Sequence, residues 1–405
     1  MKIRREILIL LPLIFVVIGA ALRNYDAEWS KIFRYTAILY MVLFVIFKRK
    51  YPANLFLSLI VFLPFLIYGI IHSFNIKAGI EDGIRYLLPF IALFYGYSIK
   101  EYFNTLIRFV IILVVINFSV QIINYIYWLN DIPQWYYFKT RDGVIFIQET
   151  AGIIRASGIV TLFAFYAFLN LISFILIYYY YNGKYRKLFL ALSFFNFISA
   201  LSYKTIGVAI VILILFYFKK IFQFIKYTIP LFLILIIVYH NKLNLFIQDI
   251  YLRIHLYITG GQSMRAESYR VMFREIFSGN WFGRGVGTFG GPGSIKYNSP
   301  YYDEVHFNWW GMEWADLPTT DTFPPHAFVE LGIIGGLVYF LSLLVPLISR
   351  HVPKPMLMIY IILFVDMLFT FSLNNIEYVM FSFLFIYPIY YYHQYLNQSS
   401  QSKQN

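Results

Sequence analysis

Residues 106–129 read LIRFVIILVVINFSVQIINYIYWL: one charge, Arg108, near the start, and no acid anywhere. As a helix, such a run rises about 36 Å, more than the roughly 30 Å hydrocarbon core of a bilayer. Working outward, eleven further apolar segments qualify as spans. Before it lie Ile7–Leu22, Ile32–Phe47, Leu55–Ile71 and Ile84–Ile99. After it come Gly158–Tyr181, Leu188–Leu201, Thr205–Phe218 and Tyr227–Tyr239, then Ala327–Leu347, Met356–Phe371 and Tyr378–Tyr392. The first is not expected to be a cleaved signal, because no small-residue cleavage site precedes Arg23. The expected fold class is an all-α polytopic membrane protein of about twelve transmembrane helices.

Composition agrees. Of 405 residues, 60% are hydrophobic and 13% charged, with a mean hydropathy of +0.66. A soluble domain carries about 25% charged residues, so a water-soluble enzyme, a disordered chain and a fibrous repeat are all excluded. There is no cysteine, hence no disulfide framework and no thiolate chemistry. The net charge is +13, and its placement explains it. With the N-terminus inside, alternate connections carry Lys2, Arg4 and Arg5, then Lys48–Lys50, Lys100 with Arg108, and Lys184 with Arg186 and Lys187. Lys219, Lys220, Lys226, Arg350, Lys354 and Lys403 complete this side: 17 bases against Glu6 and Glu101. The remainder of the chain holds 16 bases and 18 acids. The positive-inside rule accounts for the charge, both termini are expected in the cytoplasm, and no nucleic-acid partner is called for.

Two outer connections stand apart. Asn130–Ser157, with Trp135, suits a segment lying along headgroups. His240–Pro325 is 86 residues long and polar, with Trp281, Trp309, Trp310 and Trp314. Long loops of this kind tend to carry function. The chain therefore divides into helices 1–9 over residues 1–239, a long, partly helical extracytoplasmic loop over 240–325, and helices 10–12 with a tail over 326–405.

The loop concentrates chemistry. Arg253, Arg265, Arg270, Arg274 and Arg284 occur with no lysine between them, and arginine grips phosphate with a planar fork. Met264–Phe277 has the spacing of an amphipathic helix, with Arg265 and Tyr269 one turn apart on one face. A bland reading puts these arginines on lipid phosphates. Gly283-Arg284-Gly285-Val286-Gly287-Thr288-Phe289-Gly290-Gly291 is either an anion cradle or a plain turn. At re-entry, Asp321-Thr322-Phe323-Pro324-Pro325-His326 leads into a span with Glu330 one turn further on. The histidine suits a proton acceptor, and an acid inside a span is a functional candidate. The bland alternative is an interfacial histidine and a capping glutamate. Lys204, in the short connection Ser202-Tyr203-Lys204, either snorkels or meets a phosphate, and Asp366 is a similar case. No pair of histidines has metal-site spacing, and no cofactor is expected.

The order of these parts resembles the O-antigen polymerase and O-antigen ligase superfamily of bacterial envelope glycosyltransferases. The likeness rests on Arg265 to Tyr269, on Asn280–Phe289, and on His326 with Glu330-Leu331-Gly332-Ile333-Ile334-Gly335, and covers mainly Ser199–Gly336. It implies an undecaprenyl-pyrophosphate-linked oligosaccharide donor and acceptor, with Arg265 on the pyrophosphate and His326 deprotonating the acceptor hydroxyl. Lys204 stands where the family usually has arginine, and Tyr269 where tryptophan is common. Arg270, Arg284 and Glu330 are secondary substrate-binding candidates. The expected activity is polymerisation of repeat units on the outer face of the bacterial inner membrane, beside chain-length regulator and flippase proteins. Alternatives are a ligase onto lipid A-core, a transporter or flippase of lipid-linked sugars, and an O-acyltransferase.

Overall fold

The computed structural model describes residues 2–48, 50–132, 149–150, 152–160, 162–218, 248, 251–252, 263–308, 322–349 and 351–401. The fold is all-α. The helices are α1 (Lys2–Leu22), α2 (Ala27–Phe47), α3 (Ala53–Ile71), α4 (Ile76–Ser98), α5 (Phe103–Leu129), α6 (Phe163–Tyr180), α7 (Arg186–Ser199) and α8 (Tyr203–Phe218). After them come α9 (Met264–Phe277), the short α10 (Pro292–Lys296) and α11 (Tyr301–Glu304), then α12 (Phe323–Leu344), α13 (Lys354–Asp366) and α14 (Ile376–Gln401). Helix thus covers every expected apolar segment except the ninth, Tyr227–Tyr239, which lies outside the described residues, as do Arg253, Trp135, Trp309, Trp310 and Trp314.

Among the described residues, six helices are long and apolar enough to cross a membrane: α1, α2, α3, α5, α6 and the stretch Phe323–Ile348 that contains α12. They mark a membrane protein. Their outward faces agree, since Leu39, Ile46, Phe56, Leu57 and Ile112 are more than half exposed in the isolated chain. Large apolar side chains left bare in this way need lipid rather than water.

Three elements differ from the apolar pattern. α4 begins eight residues before Ile84 and includes Glu81, Asp82 and Arg85. Asn75 caps it by accepting from Lys77 N (2.9 Å), and Asp82 is taken up by Arg85 and by Gly293 N. Partnered charges do not end a helix, which a count of apolar residues misses. α13 ends at Asp366, before Phe371, because Thr370 folds back on Asp366 through its backbone and carboxylate oxygens (2.9 and 2.8 Å). At 13 residues it spans only about 20 Å. Within the Asn130–Ser157 connection, the described part contains a small antiparallel ribbon, Glu149–Thr150 against Ile153–Ile154, turned at Gly152 with φ +72°.

The core lies between α4, α6, α13 and α14, where Phe90, Phe168, Ile359 and Phe383 are fully buried. Gly96 sets the approach of α4 to α14: a Cβ there would lie 2.3 Å from Leu384 O. A second, smaller core holds the loop together. Val271 and Met272 of α9, Phe289, Tyr301, Tyr302 and Phe307 pack with Val329 of α12.

Candidate functional site

Several helix ends meet around one cavity of about 2210 Å³. They are the C-terminal ends of α1 and α13 and the N-terminal ends of α2, α4, α6, α8, α9 and α14. The lining is strongly cationic. Arg23, Lys31, Arg34, Arg85 and Lys296 come from α1, α2, α4 and α10, and Arg155, Lys204, Arg265 and Arg270 from the other part of the lining. Against these nine cations, Glu81 and Glu377 are the acids that line the space among the described residues.

The pairing has a repeated form. In each of four pairs a buried carboxylate holds a cation that faces the cavity. Arg34 (21% exposed) pairs with Glu377 (2%), Arg85 (24%) with Asp82 (0%), Lys204 (17%) with Asp366 (1%), and Arg270 with Glu267. The separations are 3.4, 3.3 and 2.9 Å for the first three. A buried carboxylate fixes the position of its cation, and the cation's outer edge is left for a ligand. Even with these acids counted, positive charge exceeds negative around the space. An excess of this kind in surroundings of low dielectric favours an anion of more than one charge.

α9 is placed by local sequence. Ser263 caps it, its Oγ accepting from Ala266 N at 3.1 Å, and Glu267 in the first turn suits the positive end of the helix dipole. Tyr269 OH donates to Leu368 O (2.8 Å), tying α9 to the end of α13. Burial pushes this phenol up to about 12, with Arg265 pulling it back, so it remains a donor. Arg265 and Tyr269 both line the cavity, as their shared face predicts. Glu267 holds the Arg270 guanidinium above its ordinary value by hydrogen bonding, and Arg270 also donates to Val305 O (3.0 Å).

Arg284 does not reach the cavity. It bonds Glu275 through Nε (2.9 Å) and Nη2 (3.2 Å). Tyr301 OH and Asn280 Nδ2 reach the same carboxylate at 2.7 Å each. Burial raises the Glu275 carboxyl, but these bonds outweigh it and leave the group below the usual glutamate range. Arg284, expected as a secondary substrate-binding residue, is not brought together with the other candidates in the cavity, and its fork closes the loop.

The glycine turn is likewise no anion cradle, because its amides are already used. Arg284 N donates to Val329 O, Gly285 N to Glu330 O, Val286 N to Gly69 O, and Phe289 N to the Glu330 carboxylate. The turn is a wedge between α3, α4 and α12. Gly283 has φ +83°, and a Cβ there would lie 2.2 Å from Glu330 O. Gly332, with φ +72°, breaks the regular path of α12 at the matching point. The next amides, Ile333 N and Ile334 N, bond Asn280 O and Trp281 O (3.2 Å each).

His326 and Glu330 are fully buried and 3.5 Å apart, so their shared helix face is realised. Neither lines the cavity. Glu330 accepts from Phe289 N and Tyr86 OH (3.1 Å each), which makes it a bracket for the wedge. His326 Nδ1 lies 2.6 Å from Phe289 O, which can only accept, so Nδ1 carries the proton. Nε2 then accepts from Asn374 Nδ2 at 2.9 Å. Asn374 does line the cavity, so the imidazole sits one hydrogen bond behind the wall. The interfacial position considered for His326 is thus corrected to a core one: the two prolines that precede it start α12 beneath the wedge.

Reading the sequence missed Arg23, Lys31, Arg34, Arg85, Arg155 and Lys296. A signal was available for most of them, because the charge alternation expected from the sequence groups them with the loop. Arg34 and Arg85 fall within apolar segments, where only the tertiary fold shows a common cavity. What fold and site define is a helical membrane protein with a cation-walled cavity at one end of its bundle. No protein-family model matches the chain, and no curated protein matches it either.

Proposed function

We propose that this protein is a membrane glycosyltransferase that joins undecaprenyl-pyrophosphate-linked oligosaccharide units into a polysaccharide on the outer face of the bacterial inner membrane. The observation that carries this reading is the convergence of Arg265, Arg270 and Lys204 on one large cavity among apolar helices. Such a space suits a headgroup that is a diphosphate joined to sugars, while its isoprenoid tail lies between helices in lipid.

In this reading an acceptor hydroxyl attacks the anomeric carbon of the donor. The carbon–oxygen bond to the diphosphate breaks, and the diphosphate leaves with the electron pair. Arg265, Arg270 and Lys204 stabilise the charge that develops on it. Lys204 supplies charge without a fork, and Asp366 holds it in place. The hydroxyl proton passes to His326 Nε2, which requires the Asn374 side chain to rotate aside. Tyr269 fixes α9 so that Arg265 stays on the leaving group. Both termini are then cytoplasmic, and a flippase and a chain-length regulator are the partner proteins this chemistry calls for.

The test replaces Arg265→Ala and His326→Ala separately in the native host, checks membrane levels, and examines the surface glycan on a gel. Loss of polymerisation leaves a single repeat unit on the acceptor. Loss of all glycan from the acceptor, with lipid-linked polymer accumulating, assigns ligase chemistry instead. Unchanged glycan in both variants refutes the site.

A further inference from the structure

The cations that the family likeness nominates occupy only part of the lining. The remainder, on α1, α2 and α4, is built with equal care. Arg34 lies seven residues beyond the start of α2, about 10 Å along its axis, deeper than a cation at a helix rim. Its Nε donates to Ser30 O (3.2 Å) and its Nη2 to Ser30 Oγ (2.5 Å), while Ser30 Oγ donates to Gly19 O (2.6 Å). Gly19 permits this: a Cβ there would lie 2.9 Å from Arg34 Cγ. Glu377 stands behind at 3.4 Å, 2% exposed, and neither of its oxygens has a hydrogen bond among the described residues. A guanidinium has five N–H groups, so Arg34 keeps donors to spare at the cavity. Arg85 repeats the arrangement on α4, held by the buried Asp82, which is itself fixed by Gly293 N (3.1 Å). Arg23 adds charge from the turn between α1 and α2, and Lys31 from the first turns of α2.

We infer that Arg34 and Arg85, with Arg23 and Lys31, form a second anion site in the same cavity, one that takes the phosphate or diphosphate of a second lipid. Held cations with unused donors, set in a wall of low dielectric, are the chemistry of phosphate capture. The inference rests on the proposed function for its choice of ligand. With that choice, the cavity holds two lipid diphosphates at once, one under Arg265 and one under Arg34. A bilayer phospholipid presents the same phosphate ester, and the experiment separates the two sources.

The full-length protein is placed in nanodiscs of zwitterionic lipid and titrated with undecaprenyl pyrophosphate, with bound copies counted by native mass spectrometry. Wild type is expected to carry two copies. The double variant Arg34→Gln/Glu377→Gln removes the charge pair together, so no buried acid is orphaned. It is expected to carry one copy, with the second weakened about tenfold or more. Arg34→Lys keeps the charge but loses the Ser30 bonds, and is expected to retain the second copy at reduced affinity. Should the double variant fail to fold, Arg23→Gln/Lys31→Gln, at the rim, reads the same loss more weakly. Displacement of the second copy by phosphatidylglycerol at equal mole fraction supports the site and identifies a bilayer phospholipid as its occupant. Saturation of wild type at one copy, or two copies in the double variant at unchanged affinity, overturns the inference. Arg265→Ala separates the two ideas. If it leaves glycan synthesis intact, the proposed function fails, and if it abolishes synthesis while wild type binds one copy, only the second site fails.

Discussion

Replacing Arg284 by alanine is expected to loosen the loop, not to weaken ligand binding. The Glu275 side chain is 2% exposed and receives four hydrogen bonds, two of them from Arg284. Without the guanidinium the carboxylate keeps the Tyr301 hydroxyl and the Asn280 amide, with the Arg274 guanidinium farther off at 3.9 Å. Breaking a buried ion pair costs about 3–5 kcal/mol. Arg284 is 42% exposed, however, so water recovers part of that, and about 2 kcal/mol is the reasoned cost. This corresponds to a shift of about 30-fold in the balance between docked and undocked loop. Proteolysis follows that balance when opening is fast relative to cleavage. Chymotrypsin suits the assay, because the substitution would also delete a trypsin site, and nicking within 264–308 is expected to accelerate by about the same factor. Adding Glu275→Gln to Arg284→Ala removes the orphaned charge and should recover part of the protection. If Arg284→Ala keeps full protease resistance while glycan synthesis disappears, the reasoning is refuted, and Arg284 belongs with the ligand.

The same carboxylate predicts a pH dependence. Its folded value lies below its unfolded one, so its contribution is complete above the ordinary glutamate value of about 4.3 and is lost as pH falls through the lower, folded value. Thermal midpoints recorded from neutral pH down to pH 3 should therefore fall more steeply at the acid end in wild type than in Glu275→Gln, and parallel curves would count against the network. Gly332→Ala forces a side chain onto φ +72° with its Cβ 2.3 Å from Gly283 N, and should sharply reduce the yield of monodisperse protein in detergent. Gly207→Ala, where a Cβ meets nothing within 4 Å among the described residues, should leave that yield unchanged or improve it slightly. Equal yields from the two would show that the meeting of α12 with the glycine turn is not as tight as described.

The elements were largely legible in the chain because spans announce themselves by composition. A helix in hydrocarbon must satisfy every backbone group internally and present apolar side chains outward, and both demands are written locally, as in Leu106–Leu129. The failures fall where charge is paired instead of exposed. Glu81, Asp82 and Arg85 conceal the first turns of α4, and the Thr370–Asp366 contact ends α13 while the apolar run continues. The site was legible in part for the same reason. Arg265 and Tyr269 share a face of one helix, and His326 and Glu330 share another, so i, i+4 spacing was enough to group each pair.

Sequence by itself determined that this chain is built from apolar helices and that a polar stretch late in the chain carries a cluster of arginines. Helical periodicity and the price of charge in lipid act over a few residues, so they can be read without a fold. Only the tertiary structure decided which cations share a space. Arg34, Arg85, Lys204 and Arg265 come from four different helices, and nothing in their local sequence records that they meet. It also decided that Arg284 turns to Glu275 and that Asn374 stands between His326 and the cavity, since a side chain's partner is chosen by what the packing brings within 3 Å.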